Sequence, residues 1–392
     1  MSNCKFVDFL LNSWIGKGLT SILKFINRLI PKRDDQILFE SITSFSDNPM
    51  QLYNYIKSLN EGYRLYWIVD ELREDIDAPQ YKRNTIGELW QFLRSKYIVT
   101  SHGHHIFFRA KNQVYVNVWH GMPLKAMGYA QKSNPKILPP NFNDNNYYLI
   151  ATSIIMMNAL AACFNQDPRR IFVTGQPRND KLFKGQGKIL EILKIDPVNY
   201  NKIVLFAPTF RKSDFMDDGQ LISYKFNLPD FDRKRFQEFL EENEILFLVK
   251  FHPLEEKKAM KYFKSAKNIK LIKTETLQEK LLDLHNILPC ADILVTDYSS
   301  VYFDFLLLDR PIIFIVPDLE EYRKKRGFIL EPFEFWTPGP KVKNFKKFLE
   351  EIKKSIKDPD YYSQERRTIN NLINYHKDDK STERIYKLVF KD

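Results

Sequence analysis

Short runs of Val, Ile, Leu and Phe recur along this chain, each followed by a stretch of helical spacing, and that alternation leaves few folds open. A first series of apolar runs covers residues 65–69, 97–100, 114–118, 147–152 and 171–174. A second covers 203–207, 245–250, 269–272, 293–296 and 312–316. Runs this continuously apolar predict strands buried on both faces, which means parallel sheets covered by helices. Two series predict two doubly wound α/β domains. The 392 residues suit two domains of roughly 100–200 residues each. Residues 183–202 hold Gly185, Gly187 and Pro197 without a clear strand, so the boundary is expected there. The expected layout is a first domain over 34–182, a second over 200–342, and helices over 343–392, where Phe345, Phe348, Leu349 and Ile352 recur at helical spacing.

Residues 1–33 stand apart. The stretch from Phe6 to Ile30 is rich in Phe, Leu, Ile and Trp but is interrupted by Asp8, Lys17, Lys24 and Arg28. A secretory signal wants an unbroken apolar core and a small-residue cleavage site. A membrane span wants ~20 apolar residues. The segment fits neither. Phe6, Leu10, Ile22, Phe25, Ile26 and Leu29 can share one apolar face, while Lys17, Lys24, Arg28, Lys32 and Arg33 supply positive charge. That pattern predicts an amphipathic helix lying in the headgroup region of an anionic membrane. The competing reading is a helix docked on the protein's own surface.

The net charge of +11 fits an anionic partner: a phosphorylated substrate, an anionic membrane or nucleic acid. No basic stretch interleaved with aromatics marks an RNA module, so no nucleic-acid partner is expected. Cys4, Cys163 and Cys290 lie far apart with no Cys-x-x-Cys pair, which argues against a disulfide framework and a zinc site and fits a reducing compartment. His102, His104 and His105 cluster, but the 104/105 pair does not share a helix face and no Cys or paired carboxylate joins them in sequence. No metal is expected there. The chain has no Gly-x-x-x-x-Gly-Lys-Ser/Thr loop and no Gly-x-Gly-x-x-Gly after its first strand, which disfavours a P-loop enzyme and a nicotinamide dehydrogenase. No cofactor is expected.

Ligands of doubly wound sheets sit just past the carboxyl ends of strands, and five such exits carry polar clusters. After the run ending at 118 come Trp119, His120, Gly121, Lys125 and Gly128. A histidine there can titrate near neutral pH and accept a hydroxyl proton. Glycine lets a phosphate approach the backbone closely. After 245–250 come His252 and Pro253, the proline ending the ladder. One histidine could act as base and the other could donate to phosphate oxygens. After 293–296 come Asp297, Ser299 and Ser300, where a helix start can hold an anion. Ordinary helix capping is the bland alternative. Asp304, set among Tyr302, Phe303 and Phe305, needs an Arg or a ligand hydroxyl as partner. After 203–207 come Thr209 and Arg211, a hydroxyl and a bidentate phosphate ligand. After 171–174 come Arg178, Asn179 and Asp180. Each cluster alone could be surface ion pairing.

Read in order, these segments resemble the CDP-glycerol glycerophosphotransferase family, the teichoic acid primases and polymerases of bacteria. The motifs that carry the resemblance are Trp119 to Lys125, Thr174 to Asp180, Ala207 to Arg211, Phe251 to Pro253 and Thr296 to Ser300. Arg326-Gly327-Phe328 and Thr337 to Pro340 follow, and Ile37 to Ser41 with Asp47-Asn48-Pro49 precede. Met122, His102–His105 and the residues after Phe328 depart from the family pattern. The resemblance implies a GT-B fold, two Rossmann-like domains facing a cleft with C-terminal helices tying them. It implies a CDP-glycerol or CDP-ribitol donor, a lipid-linked saccharide or polymer as acceptor, and work at the cytoplasmic face of the bacterial membrane as a peripheral protein. It gives catalytic roles to His120 and His252. Donor binding falls to Thr209, Arg211, Asp297, Ser299, Ser300 and Asp304. Acceptor or phosphate binding falls to Gly121, Lys125, Arg178, Asn179 and Asp180. A GT-B glycosyltransferase using a nucleotide sugar is the alternative.

Overall fold

The computed structural model describes residues 14–131, 141–185, 189–209, 212–213, 216–217, 226, 228–252, 255–256 and 267–391. The chain divides into two compact units. The first comprises the described residues of Met1–Met122, Met127–Asp180 and Asp378–Asp392, and the second those of Pro123–Ala126 and Lys181–Lys377. The chain therefore leaves the first unit for four residues at 123–126, returns, passes to the second at 181, and comes back at 378.

The first unit is built on seven parallel strands in the order β3-β2-β1-β4-β5-β6-β7. They are β1 (Arg33–Glu40), β2 (Arg64–Val69), β3 (Gln80–Lys82), β4 (Ser95–Thr100), β5 (Val114–Asn117), β6 (Tyr147–Ala151) and β7 (Ile171–Val173). Their apolar residues are buried because helices cover both faces of a parallel sheet, and Ile37, Leu38 and Phe39 on β1 are fully enclosed. The order 3-2-1-4-5-6 is that of a dinucleotide-type fold, with β7 added at the edge. Its direction reverses between β1 and β4, and the crevice beyond their carboxyl ends is where such sheets bind ligands.

The second unit repeats the scheme. Its main sheet runs β12-β11-β8-β13-β14-β15. The strands are β8 (Lys202–Phe206), β11 (Ile245–Val249), β12 (Ile269–Leu271), β13 (Ile293–Thr296), β14 (Ile312–Ile315) and β15 (Lys341–Val342), and the short β9 (Lys212–Ser213) and β10 (Met216–Asp217) pair antiparallel as a separate two-stranded sheet. Its reversal lies between β8 and β13. A phenylalanine cluster fills the core on one face: Phe206 meets Phe226 at 5.0 Å, and Phe236 meets Phe247 at 5.0 Å, both edge-on. Helix Phe345–Lys357 completes it through Phe345, Phe348 and Ile352, and the Asn344 side chain caps its start by accepting from Lys347 N.

One part of the layout differs from the sequence expectation. The helices after 342 do not form one block, since residues up to 377 belong to the second unit and those from 378 to the first. Helix α1 (Trp14–Leu29) covers part of the N-terminal segment, while Phe6 and Leu10 lie outside the described residues. It is moored by buried Asn27, whose amide donates to Phe108 O and Gln113 Oε1, both at 2.8 Å. Ile22, Phe25, Ile26 and Leu29 on its apolar face are exposed. No helix among the described residues is long and apolar enough to cross a membrane.

Candidate active site

The exits of β1, β4 and β5 converge at the reversal point of the first unit. After β5 the backbone turns sharply: Trp119 takes φ 47° and Gly121 φ 147°. A left-handed conformation costs an aromatic residue about 1–3 kcal/mol and persists only where surroundings impose it. Asn48, at the start of helix α2 (Asp47–Leu59), imposes it. Its amide nitrogen donates to Val118 O (2.9 Å) and Trp119 O (2.8 Å), and its Oδ1 accepts from Arg178 N (3.0 Å). The Arg178 guanidinium then donates to His120 O (2.7 Å) and to Asp47 (3.1 Å).

This clamp presents the His120 imidazole. Its Nδ1 lies 3.1 Å from Ser101 O, a group that can only accept. The proton of neutral His120 is therefore on Nδ1, and the lone pair on Nε2 is the basic one. The ring stacks on His102 at 4.0 Å and 7°, and contacts Trp119 at 4.0 Å. Burial holds the His102 imidazole far below its usual pKa, and His120, Arg83 and Arg178 push the same way.

Behind the stack is a polar network whose members lie far apart along the chain. The Thr100 hydroxyl accepts from the backbone N–H groups of His102, Gly103 and His104 at 3.1–3.2 Å and donates to buried Glu40 at 2.5 Å. Arg83 bridges Glu40 (2.9 Å) and His104 Nδ1 (3.2 Å). A carboxylate distant from the histidine cluster in sequence joins it in the fold. Glu88, on helix α3 (Ile86–Arg94), puts Oε1 at 2.8 Å from His104 Nε2 and 2.7 Å from His105 Nε2. A guanidinium can only donate, so His104 Nδ1 is an acceptor and its proton is on Nε2, facing Glu88. Chelation through Nε2 would need that proton moved to Nδ1, against Arg83. The cluster is a hydrogen-bonded brace for the loop carrying His102. Burial alone would raise the Glu88 pKa, but the hydrogen bond from His104 and the close contact with His105 outweigh it and hold it at about 2.

The segment Thr174 to Asp180 proves to have internal tasks. Arg178 braces the His120 turn. Asp180 accepts from Ser381 N (3.0 Å), Thr382 N (2.9 Å) and Thr382 Oγ1 (2.5 Å), capping helix Ser381–Tyr386. A Cβ on Gly175 would lie 2.5 Å from Ser381 Oγ, so this position needs glycine for the C-terminal segment to seat. Asn179 is buried in the same turn. Lys125 is not grouped with His120 and Gly121. It belongs to the second unit, where its backbone bridges Phe328 and Ala126 O accepts from Arg326 Nε at 2.9 Å.

In the second unit the reversal point collects Thr209, Asp297, Ser299 and Ser300. Thr209 N donates to Asp297 Oδ1 at 2.7 Å and Thr296 Oγ1 to Ala207 O at 2.8 Å, which ties the two strand exits together. Thr209 Oγ1 is buried with no hydrogen-bond partner among the described residues. Ser300 holds the N-cap position of helix Val301–Phe305, but its hydroxyl makes no cap bond, so capping does not account for it. Asp304 finds a partner in His285, at 3.0 Å and also buried, a residue sequence reasoning missed. Arg211 and Pro253 lie outside the described residues. His252 is exposed at the exit of β11, where desolvation and Lys250 lower its pKa against an opposing pull from Glu256.

Comparison with known proteins accords with this geometry. The teichoic acid poly(glycerol phosphate) polymerase of Bacillus spizizenii is 32% identical over 364 residues, covering 86% of this chain and 87% of that protein. The teichoic acid glycerol-phosphate transferase of Staphylococcus aureus is 27% identical over 402 residues, 96% of this chain and 98% of its own. The solved structure of the wall teichoic acid polymerase TagF superposes with a TM-score of 0.77 at 23% identity, covering 95% of this chain and 92% of that one, so the two share a fold. A family model described as CDP-glycerol:poly(glycerophosphate) glycerophosphotransferase matches residues 22–391. With its paired Rossmann-like units of the GT-B kind and a match over nearly its whole length, the chain belongs to the CDP-glycerol:poly(glycerophosphate) glycerophosphotransferase family.

Proposed function

We propose that this protein transfers glycerol phosphate, or another alditol phosphate, from a CDP-alditol to a hydroxyl of a lipid-linked saccharide or growing polymer, with release of CMP. The product is a teichoic acid or capsule-type surface polymer. The observation that carries this reading is His120, held in one tautomer at the reversal point of the first unit with Nε2 as its basic nitrogen. In the reaction, Nε2 takes the acceptor hydroxyl's proton as the oxygen bonds to the alditol-bearing phosphorus. The bond from that phosphorus to the bridging oxygen breaks, and CMP leaves with the electron pair. Positioning and charge stabilisation supply most of the acceleration in such transfers.

Thr209, Asp297, Ser299, Ser300 and Arg211 serve the donor phosphates in this scheme. The buried Thr209 hydroxyl supports that assignment, since such a group is costly unless a ligand meets it. His252 acts as a donor to phosphate oxygen at the exit of β11, its pKa lowered by desolvation and by Lys250. Gly121 lets the acceptor approach the turn. The exposed apolar face of α1, with Lys24 and Arg28 along the same helix, supports peripheral attachment to an anionic membrane at its cytoplasmic face. Loss of co-sedimentation with anionic vesicles in Phe25→Asp/Leu29→Asp is expected, and unchanged binding would remove that part.

Mass analysis of products from CDP-glycerol and from CDP-ribitol on a lipid-linked acceptor tests the activity and separates the alditols. Release of UDP or GDP from a sugar nucleotide instead would overturn it. His120→Ala should lower turnover ~10²–10⁴-fold with donor binding kept; near-normal turnover would remove His120 as base.

A further inference from the structure

We propose that His102 is a positioning residue for this reaction, fixing the plane and tautomer of His120 through a parallel ring stack and a shared anchor in Ser101. The inference rests on the reading of His120 as base, and goes beyond it by assigning a task to a second imidazole.

The geometry is specific. The two rings lie 4.0 Å apart and 7° from parallel. Both are tied to one residue: Ser101 O faces His120 Nδ1 at 3.1 Å, and Ser101 Oγ faces His102 Nδ1 at 2.6 Å. A rotation of His120 about its Cβ–Cγ bond breaks the stack and the Ser101 contact together, so the two restraints reinforce each other. His102 is in turn fixed from behind, because the backbone of residues 102–104 is gathered by the Thr100 hydroxyl and the loop is braced by Glu88, Glu40 and Arg83.

The charge arrangement suits the task. As His120 takes a proton it becomes a cation, and a neutral imidazole face is a favourable neighbour for a cation. A second proton on His102 would set two like charges 4.0 Å apart. Arg83 and Arg178 face His102 as well, and burial opposes its charging. On the His120 side, Arg178 donates to its carbonyl and is itself paired with Asp47. The pair therefore accommodates a single positive charge, the one His120 gains when it takes the acceptor's proton.

The test compares His102→Ala, His102→Phe, His120→Ala and the His102→Ala/His120→Ala double variant in the full chain, with CDP-glycerol and a lipid-linked acceptor. Removing the ring should lower kcat by about 10–100-fold, the range for a misplaced catalytic group, with KM for CDP-glycerol little changed. Phenylalanine, which keeps the stack, should restore most of kcat. The His102 change should cost nothing further once His120 is gone, since the two act as a unit. ¹⁵N NMR of the imidazoles reads the same point without turnover: His120 carries its proton on Nδ1 in wild type and in His102→Phe, and a mixture of tautomers in His102→Ala. Should the alanine variant fail to fold, His102→Asn replaces it. An unchanged kcat and tautomer on loss of the ring, a phenylalanine variant as slow as the alanine one, or an effect on KM alone would overturn the proposal. Turnover surviving in His120→Ala would overturn the base assignment instead, while the NMR readout still decides the role of His102.

Discussion

Replacing Asp180 by Ala separates a structural role from a ligand-binding one. Its carboxylate accepts two backbone N–H groups and one hydroxyl from Ser381 and Thr382. Both residues are buried, so water does not replace the lost acceptor. Each buried donor left without a partner costs about 1–3 kcal/mol. Against this, the variant no longer buries a carboxylate, and burial is the larger influence on Asp180, raising its pKa against the bonds from Thr382 and Ser381. The net loss expected is about 2–4 kcal/mol, concentrated in the C-terminal segment. Asn is ordinarily as good an N-cap as Asp. Here both oxygens are used, so Asp180→Asn should lose part of the same amount, because its NH₂ faces the Thr382 N–H. Hydrogen exchange over residues 381–391 with urea denaturation provides the assay. Faster exchange there at unchanged CDP-glycerol affinity is the expected result. Unaltered protection with weakened donor binding would refute the cap and return Asp180 to the ligand.

The first unit should lose stability as pH falls. The pKa values of His102 and His105 are lowered in the folded state, so the unfolded chain binds more protons below about pH 6.5 and stability declines from there. Glu88 adds a second decline, from its ordinary 4.5 down to about 2, worth about 3 kcal/mol in all. Thermal melts from pH 7 to pH 2.5 should show both phases, and Glu88→Gln should flatten the lower one while deepening the upper one, since the carboxylate that pulls the His105 pKa upward is gone; an unaltered lower phase refutes the brace. Asn48→Ala removes three hydrogen bonds around the Trp119 turn and should lower kcat far more than donor affinity, with stability falling by about 2–3 kcal/mol. Equal losses in kcat and donor affinity would contradict a role confined to holding His120.

What could be read from sequence follows the physics of each element. Strands buried on both faces announce themselves, as in Ile245–Val249, where every residue is enclosed. Gln80–Lys82 and Lys341–Val342 do not, being edge strands of two or three residues with polar members. β1 opens on Arg33, Asp34 and Asp35, charged and at least partly exposed, and only the family resemblance pointed to its apolar end. His120 was legible because a histidine at a strand exit is a local pattern. Its supports were not. Asn48 and Arg178 meet across 130 positions, Asp180 and Ser381 across 201, and Asp304 and His285 across 19. Such partners are chosen by the fold, and no spacing rule finds them. For the same reason Glu88 escaped notice beside His104, since nothing in a helix 16 residues upstream marks it as a neighbour.

The return of residues 378–391 to the first unit has a consequence for how the protein is made. A chain emerging from the ribosome folds its early domains first. Here the seven strands of the first sheet are synthesised before residue 174, yet the helix that Asp180 caps and Gly175 accommodates follows the whole of the second unit. The early unit must therefore wait, with a vacant seat beside Gly175 and the Asp180 carboxylate without its Ser381 and Thr382 donors, until residues 381 and 382 are available. Ribosome-bound intermediates should hold that seat open and fall to proteases more readily than the released protein.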